Sequence, residues 1–204
     1  MKIKTDRTSN LRSVFTALFA ALICAGSLFA IPLGPVPLVL QNAFAILAGL
    51  LLGPIQGAGA VGLFLLAGAL GLPVFSGGRG GIAVLVGPTG GYLAGYFIGA
   101  LVAGFLARRR PQAREGALAA LPSMRIAGAA IAGFICIYIP GVSVLRSVTG
   151  MSFTEAVARG LTPFLIPDLI KIAALIPITL RLKPVVDRYL FPEIQDAEST
   201  TKDS

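Results

Sequence analysis

The chain consists of long apolar runs separated by short segments that are rich in glycine, proline or charge. Six runs are long enough to form helices, at 14–31, 38–53, 55–72, 88–107, 126–145 and 162–180. They lack the alternation of apolar and polar residues that is typical of barrel strands. Only helices and closed barrels satisfy their backbone polar groups in lipid. The pattern therefore predicts an all-α membrane protein, a compact bundle of six transmembrane helices.

Glycine and proline mark the connections between these runs. Gly53 and Pro54 predict either a tight turn or a kink between the second and third helices. Three connections at one end of the bundle are distinctive: 32–37 is stiffened by proline, 72–92 combines glycine with aromatic residues, and 147–161 contains the pattern of a short amphipathic helix. Such loops indicate a lid over a pocket, and tight packing of short connections is the alternative.

Charged residues are few and unevenly placed. Of the 204 residues, 55% are hydrophobic and 13% are charged. Arg79 is the only Asp, Glu, Lys or Arg between Arg12 and Arg108, and no water-facing surface can be built from such a stretch. At about 20 residues for each spanning helix, this length leaves no room for a large catalytic or ATPase domain.

Lysine and arginine are concentrated at one end of the predicted bundle. With the N-terminus inside, thirteen of the 17 cations are cytoplasmic, Arg79, Arg146 and Arg159 are external, and Lys171 lies in the last helix. The positive-inside rule therefore places both termini in the cytoplasm. Residues 1–13 are predicted to form a cytoplasmic N-terminal segment, 14–182 the transmembrane substrate-binding domain, and 183–204 a cytoplasmic tail that becomes polar and disordered from residue 193.

Several kinds of chemistry have no support in the sequence. The net charge of +8 is scattered among apolar spans, so it does not indicate a nucleic-acid site. There is no histidine, and Cys24 and Cys136 lie within apolar runs, where free thiols are expected. A G-x-G-x-x-G pattern at 57–62 follows no strand and precedes no nearby acid, so it predicts close helix packing. No phosphate-binding loop is present, and we expect no metal site, no bound cofactor and no enzymatic activity.

The sharpest candidate for a functional group lies in the last apolar run. Asp168 and Lys171 are three residues apart, so a helix places both on one face. Burying either one unpaired costs several kcal/mol, and the pair is therefore expected to face the protein interior. It is either part of a ligand site or an ion pair that only locks two helices together. A depth of roughly 9 to 14 Å along the helix places it just beneath the outer loops.

Four further side chains are candidates for contact with a small molecule. Arg79 lies in a glycine-rich loop, where it either pairs with a carboxylate or remains solvated. Gln41 offers a donor and an acceptor at the start of the second helix. Phe75 and Tyr92 can supply flat apolar walls, although each of these side chains is also compatible with simple packing.

A ridge of small residues runs along the first helix. Ala17, Ala21 and Ala25 recur every four residues and so share one face. Small residues at this spacing let two membrane helices approach closely. The ridge can pack within the chain or against another membrane subunit, and the spacing does not distinguish between them.

Five motifs in order resemble those of the BioY family, the biotin-binding S components of energy-coupling factor transporters. The motifs are PLGPVPLVLQ at 32–41, AGLLLGP at 48–54, GLPVFSGG at 71–78, GPTGGYLAG at 87–95 and PDLIK at 167–171. The resemblance extends over about 13–182. It implies a six-helix membrane fold with a biotin pocket that opens outward.

The resemblance also implies roles for the candidate residues. Asp168 and Lys171 match the acid and the lysine of the family's last helix, and Gln41 and Tyr92 lie within matched motifs. The ureido ring of biotin has two N–H donors and one carbonyl acceptor. Asp168 is therefore expected to accept from an N–H, while Lys171 and Gln41 donate to the carbonyl. The pairing of Arg79 with the valerate carboxylate rests on charge alone.

Partners follow from the same resemblance. The ridge of Ala17, Ala21 and Ala25 is similar to the family's docking surface for a transmembrane T component, which works with two cytoplasmic ATPases that consume ATP. The chain is expected to reside in the inner membrane of a bacterial cell and to bind biotin as its substrate. Two alternatives remain: a stand-alone secondary transporter of a small carboxylated metabolite, with Asp168 and Lys171 as its coupling-ion route, and a structural scaffold that binds no small molecule.

Overall fold

Helices account for most of the protein in the computed structural model, which describes residues 2–108 and 122–190, with side chains described at 9–108 and 123–190. In chain order the elements are α1 (Lys2–Ala25), a 3-10 helix (Gly26–Leu28), β1 (Ala30–Ile31), β2 (Leu38–Val39), α2 (Gln41–Leu52), α3 (Pro54–Ala69), α4 (Ile82–Leu85), α5 (Gly90–Ala107), α6 (Pro122–Thr149), α7 (Phe153–Gly160), a second 3-10 helix (Thr162–Phe164) and α8 (Leu165–Leu190). The two strands pair antiparallel, with Ala30 opposite Val39.

Each of the six apolar runs contains a helix of at least 12 residues, but several predicted ends are wrong. The first run leaves the helix at Ala25 rather than at residue 31, and α2 begins at Gln41 rather than at 38. The intervening residues form the β-hairpin at 30–39, which an unbroken apolar composition does not reveal. Helices α1 and α8 also extend beyond the predicted domain boundaries at 13 and 183. The basic residues predicted at 109–114 and the polar tail at 193–204 lie outside the described residues.

The connection between α2 and α3 is a tight turn rather than a kink. Gly53 adopts a φ of 84°, in the region that favours glycine, and Pro54 occupies the first position of α3. The two helices then pack side by side, so closely that a Cβ added to Gly57 would lie 2.6 Å from the Cα of Gly49. Gly57 begins the G-x-G-x-x-G pattern, and its role in helix packing is confirmed.

Helices α5 and α6 form the most extensive helix pair. Glycines spaced four residues apart on α5 allow the two helices to approach closely. A Cβ added to Gly95 would lie 2.7 Å from the backbone of Ile137, and a Cβ added to Gly99 would lie 2.6 Å from the Gly133 carbonyl oxygen. This closely packed pair carries Tyr92 and Tyr96 on α5 and Tyr138 on α6.

The short helix α2 lies at the centre of the bundle. It contacts α1, α3, α5, α6 and α8, and all but one of its residues are buried. An apolar surface on every side is what such a surrounded helix requires. Its first two residues, Gln41 and Asn42, are buried polar side chains, and they lie at the end where the longer connections gather.

The two ends of the bundle are built differently. At one end, Arg12 Nη2 donates to the Leu190 carbonyl at 3.0 Å and Lys183 Nζ donates to the Leu50 carbonyl at 2.9 Å, so both cations cap the last turn of a helix. At the other end lie the hairpin 30–39, the segment 70–89 and α7. We refer to this second end, formed by these three parts, as the loop end.

The outer surface of the bundle is suited to lipid. Four stretches are long and apolar enough to cross a membrane: Ser9–Leu28, Gly90–Ala107, Ser123–Thr149 and Phe153–Leu190. Large apolar side chains are exposed along these helices. Such an exposed apolar surface is expected where lipid rather than water is the solvent. The chain is therefore a multi-pass membrane protein.

Candidate ligand-binding site beneath the loop end

A buried polar cluster lies where α2, α6 and α8 meet below the loop end. Lys171 Nζ lies 2.7 Å from Asp168 Oδ1, and their side chains are only 9% and 5% exposed. Asn42 bridges the pair, because its Nδ2 donates to Asp168 Oδ1 at 3.2 Å while its Oδ1 accepts from Lys171 at 3.0 Å. The Tyr138 hydroxyl donates to Asp168 Oδ2. The ion pair thus faces the protein interior, as the three-residue spacing predicts, and it ties three helices together.

Lys171 uses all of its hydrogen-bonding capacity within the protein. An ammonium group has three protons, and they reach Asp168, Asn42 and the Val39 carbonyl oxygen, the last at 2.8 Å. The bond to Val39 fastens β2 of the hairpin to α8. Donation from Lys171 to a ligand carbonyl therefore requires the exchange of one of these bonds.

The remaining capacity of the cluster belongs to its other members. Asn42 Oδ1 also accepts from the Ala43 amide at 2.9 Å. The Nδ2 group of Asn42 has two protons and donates one to Asp168, so one proton remains for a further acceptor. The oxygen of Tyr138 donates its proton to Asp168 and retains lone pairs that can accept an N–H. The cluster can therefore donate to one ligand group and accept from another without breaking an existing bond.

Two small cavities lie side by side above this cluster. They share a wall formed by Val36, Pro37, Val39, Tyr92 and Tyr96. The first cavity also contacts Gln41, Phe75, Ser76, Arg79, Val84, Thr89 and Leu93, and the second also contacts Asn42, Ile137, Tyr138, Phe164 and Lys171. Each has a volume of about 30 Å³, which is room for about two water molecules. A larger ligand therefore also occupies space beyond these cavities or displaces the parts that line them.

The predicted site residues differ in which of the two cavities they line. Lys171 lines the second cavity, whereas Gln41, Phe75 and Arg79 line the first. Asp168 lines neither cavity, because it lies behind Asn42, Tyr138 and Lys171. In this arrangement Asp168 holds the three cavity-lining groups in place, and direct contact with a ligand requires Tyr138 to move.

Gln41 and Phe75 anchor the segment 70–89 to the bundle. Gln41 is 1% exposed, and its Nε2 donates to the Val74 carbonyl at 2.8 Å. Phe75 packs edge-on against Phe64 with 5.4 Å between the ring centroids, and its ring fills the space that a side chain at Gly68 would need. Both residues therefore line the first cavity and also fix the loop that covers it.

Arg79 lies at the edge of the first cavity. Its backbone exchanges two hydrogen bonds with Phe75, at 2.9 and 3.2 Å, and its Nε donates to the Ser76 carbonyl at 3.0 Å. The rest of the guanidinium is exposed and makes no ion pair with a described acid. A ligand carboxylate can therefore reach it without displacing an existing charge partner.

Tyr92 and its neighbours form the aromatic wall. The Tyr92 hydroxyl donates to the Gly160 carbonyl at 2.8 Å, which connects α5 to the end of α7. Its ring meets that of Tyr138 edge-on with 6.1 Å between centroids. The ring of Tyr92 thus lines both cavities, as a flat apolar wall should, while its hydroxyl joins two elements.

Sequence reasoning missed Asn42, Tyr138 and Tyr96. The available signal is a polar side chain inside an otherwise apolar run, and Asn42 directly follows the predicted site residue Gln41. Spacing alone could not associate Asn42 with Asp168, because 126 positions separate them in the chain. Only the packing of α2 against α8 brings the two side chains together.

The alanine ridge of α1 is not packed within the described part of the chain. Ala17, Ala21 and Ala25 are all exposed, whereas the opposite face of α1 buries Phe19 and Ile23 against the bundle. Packing inside the chain, one of the two possibilities left by the spacing, does not occur among the described residues.

Fold and cavities together define a multi-pass membrane protein with a candidate small-molecule site beneath loops at one end of a helix bundle. The model of the BioY family matches residues 1–188. The chain belongs to the BioY family.

Curated relatives and a solved structure agree with this family. The biotin transporter BioY of Thermotoga maritima is 43% identical over 166 residues, which is 81% of this chain and 92% of that protein. The biotin transporter BioY of Rhizobium etli is 44% identical over 168 residues, or 80% of this chain and 89% of that protein. A crystal structure of the S-component for biotin from an ECF-type ABC transporter superimposes with a TM-score of 0.71 and 29% identity, covering 86% of this chain and 92% of that one.

Proposed function

We propose that this chain is the biotin-binding, substrate-specific S component of an energy-coupling factor transporter. The observation that carries the proposal is the shared cavity wall, which has hydrogen-bonding groups at one end and an exposed guanidinium at the other. Biotin has the same two-ended chemistry, a ureido ring and a carboxylate separated by an apolar body. The relatives are biotin transporters, which supports a role in uptake and not in catalysis.

The ureido ring is assigned to the second cavity. There the oxygen of Tyr138 accepts from a ureido N–H, and the remaining Nδ2 proton of Asn42 donates to the ureido carbonyl. Asp168 and Lys171 hold these groups in place: Asp168 accepts from Asn42 and Tyr138, and Lys171 donates to Asn42. Gln41 lies at the first cavity, so it contacts the apolar body rather than the ureido carbonyl.

The valerate carboxylate is assigned to Arg79, at the edge of the first cavity. A guanidinium suits this task because its planar N–H groups match a carboxylate. Phe75 and Tyr92 cover the ring and chain between the two polar ends. All six residues proposed from the sequence then have a place in or beside one site.

The loop end is assigned to the outside of the membrane, with six crossing helices and both termini in the cytoplasm. The distribution of lysine and arginine supports this orientation. Helices α2 and α3 have 12 and 16 residues, so at 1.5 Å per residue they are about 18 and 24 Å long. Both are shorter than a bilayer core of about 30 Å, and α2 is surrounded by longer helices, so it needs no lipid contact of its own.

The proposed partners are a transmembrane T component and two ATPases in a bacterial inner membrane. The exposed ridge of Ala17, Ala21 and Ala25 is the proposed docking surface for the T component, because it permits close approach of a second helix. In this arrangement the chain captures biotin, which is its substrate and not a cofactor. ATP is consumed by the partners.

Calorimetric titration of the detergent-solubilised protein with biotin tests the proposed function. Wild-type protein is expected to bind biotin. Asp168→Asn and Lys171→Met should each weaken binding by at least about tenfold, because each leaves a buried partner unsatisfied. Glu155→Gln and Arg146→Met are the matched controls, since they change an acid and a base at the surface of the loop end.

Folding of every variant is checked by size-exclusion chromatography and thermal melting. Near wild-type affinity in both Asp168→Asn and Lys171→Met would contradict the assigned site. Absence of biotin binding by wild-type protein would contradict the proposed function itself.

A further inference from the structure

The hydroxyl of Tyr96 is a polar group without a protein partner in the middle of the cavity wall. Tyr96 is 5% exposed, and its hydroxyl makes no hydrogen bond to any described residue. Among the described side chains, the one polar atom that is both sealed off and without a partner is Thr179 Oγ1. The Tyr96 hydroxyl is therefore not sealed, and because the residue lines both cavities, it opens into them.

The other two tyrosines of this wall show what the usual arrangement is. Tyr92 donates to the Gly160 carbonyl, and Tyr138 donates to Asp168. Buried tyrosine hydroxyls normally find such a partner. Tyr96 alone among the three keeps its proton for something that the described residues do not provide.

The backbone beneath Tyr96 is held firmly. Tyr96 lies one turn along α5 from Tyr92, on the same face, and the glycines on either side of it, Gly95 and Gly99, pack against α6. The tyrosine is consequently held at the wall that the cavity contacting Arg79 shares with the cavity contacting Asn42 and Lys171.

A ligand carbonyl in the second cavity needs more donors than the polar cluster can give. Lys171 has all three protons engaged, and Asn42 has one left. A carbonyl oxygen accepts two hydrogen bonds through its two lone pairs. The open hydroxyl of Tyr96 can provide the second donor without breaking the bond between Lys171 and the hairpin.

We propose that Tyr96 is a specificity-determining residue whose hydroxyl donates to the ureido carbonyl oxygen of biotin, next to Asn42. The inference rests on the proposed function. With Tyr96 as a donor, Lys171 stays bound to Val39 and the hairpin remains fastened over the ligand.

Calorimetric titration of Tyr96→Phe with two ligands tests this role. The ligands are biotin and an analogue in which sulfur replaces the ureido oxygen, since sulfur is a poor acceptor. Tyr96→Phe is expected to weaken biotin binding about tenfold, the effect of one lost hydrogen bond to a desolvated group, and to change binding of the sulfur analogue by less than about twofold. Tyr189→Phe, at an exposed tyrosine of α8, is the matched control and should bind both ligands like wild type.

The outcomes separate this inference from the proposed function. Biotin affinity unchanged in Tyr96→Phe, or equal losses for both ligands, would overturn the role of Tyr96 while leaving the biotin site intact. No binding of biotin by wild type would overturn both. Should Tyr96→Phe fail to fold, 3-fluorotyrosine at position 96 replaces it: the fluorine makes the hydroxyl a stronger donor, so tighter biotin binding is expected, and unchanged binding overturns the role.

Discussion

At the scale of residues, the site consists of buried polar groups that satisfy one another almost completely. Asp168 accepts from Asn42, Tyr138 and Lys171, and Lys171 in turn reaches the Val39 carbonyl. A buried charge pair is tolerated only when its remaining donors and acceptors are also engaged. The few capacities left over, on Asn42, Tyr138 and Tyr96, are consequently those available to a ligand.

Asn42 is expected to be essential although it carries no charge. Asn42→Leu removes a donor to Asp168 and an acceptor from Lys171, leaving both less satisfied in an apolar surrounding. Each unsatisfied buried group costs about 1 to 3 kcal/mol, so we expect a lower melting temperature and a loss of biotin affinity of at least about tenfold. Calorimetry and thermal melting measure both. Asn10→Leu, at the exposed asparagine of α1, is the control, and equal behaviour of the two variants would contradict the bridging role.

Arg79 is expected to recognise the carboxylate but to contribute modestly. Its guanidinium is exposed, so Arg79→Gln should weaken biotin binding by only about two- to fivefold, and more at low salt. Biotin amide, which lacks the negative charge, should bind wild type and Arg79→Gln equally. Titrations with both ligands and with Arg146→Gln as the control measure this. A similar loss for biotin amide would show that Arg79 shapes the loop rather than binding the carboxylate.

At the scale of elements, the loop end joins the site to its cover. Gln41 holds the segment 70–89 to α2, Tyr92 holds α7 to α5, and Lys171 holds the hairpin to α8. Each contact involves one side chain and one backbone carbonyl. Breaking any one of these contacts would enlarge the space beside the two cavities of about 30 Å³.

The contact between Lys171 and Val39 is expected to limit the motion of the hairpin. The double variant Asp168→Asn/Lys171→Met removes the hydrogen bond from Lys171 to Val39 and leaves no unpaired charge from the ion pair. The amides of 30–39 should therefore exchange with deuterium faster than in wild type. The amides of α5 should keep their protection. Hydrogen exchange with mass spectrometry measures this, with Arg181→Met on the exposed face of α8 as the control. Unchanged exchange in the hairpin would mean that other contacts hold it.

At the scale of the whole molecule, the proposed binding site and the proposed docking surface lie on different parts of the bundle. The loop end carries the cavities, while the opposite end is closed by cations that cap α2 and α8. The alanines of α1 are exposed, and none of them lines either cavity. Binding of a ligand and docking of a partner should therefore be separable by mutation.

The ridge is expected to matter for uptake and not for binding. Ala21→Leu adds bulk to an exposed position, so the isolated protein should bind biotin with wild-type affinity, whereas ATP-dependent uptake with the partner subunits should fall by at least about tenfold. Ala174→Leu, at an exposed alanine of α8, is the matched control for bulk. Uptake assays in proteoliposomes measure the effect. Normal uptake by Ala21→Leu would exclude this face as the docking surface.

Much of this architecture follows from the sequence by itself. Uninterrupted apolar runs locate helices α1, α2, α3, α5, α6 and α8, because a chain in lipid has to satisfy its backbone locally. The spacing of Asp168 and Lys171 places them together inside, since an isolated charge there costs too much free energy. The amphipathic pattern before the last helix is confirmed as α7.

What the tertiary structure alone decided is which distant residues meet. The hairpin at 30–39 exists because Ala30 pairs with Val39, a contact that apolar composition does not encode. Asn42 and Tyr138 joined the site only through the packing of α2 and α6 on α8, and the exposure of the alanine ridge depended on which face of α1 the bundle buries. Local periodicity fixes a helix and its faces, but hydrogen-bond partners far apart in the chain are selected only when those faces pack.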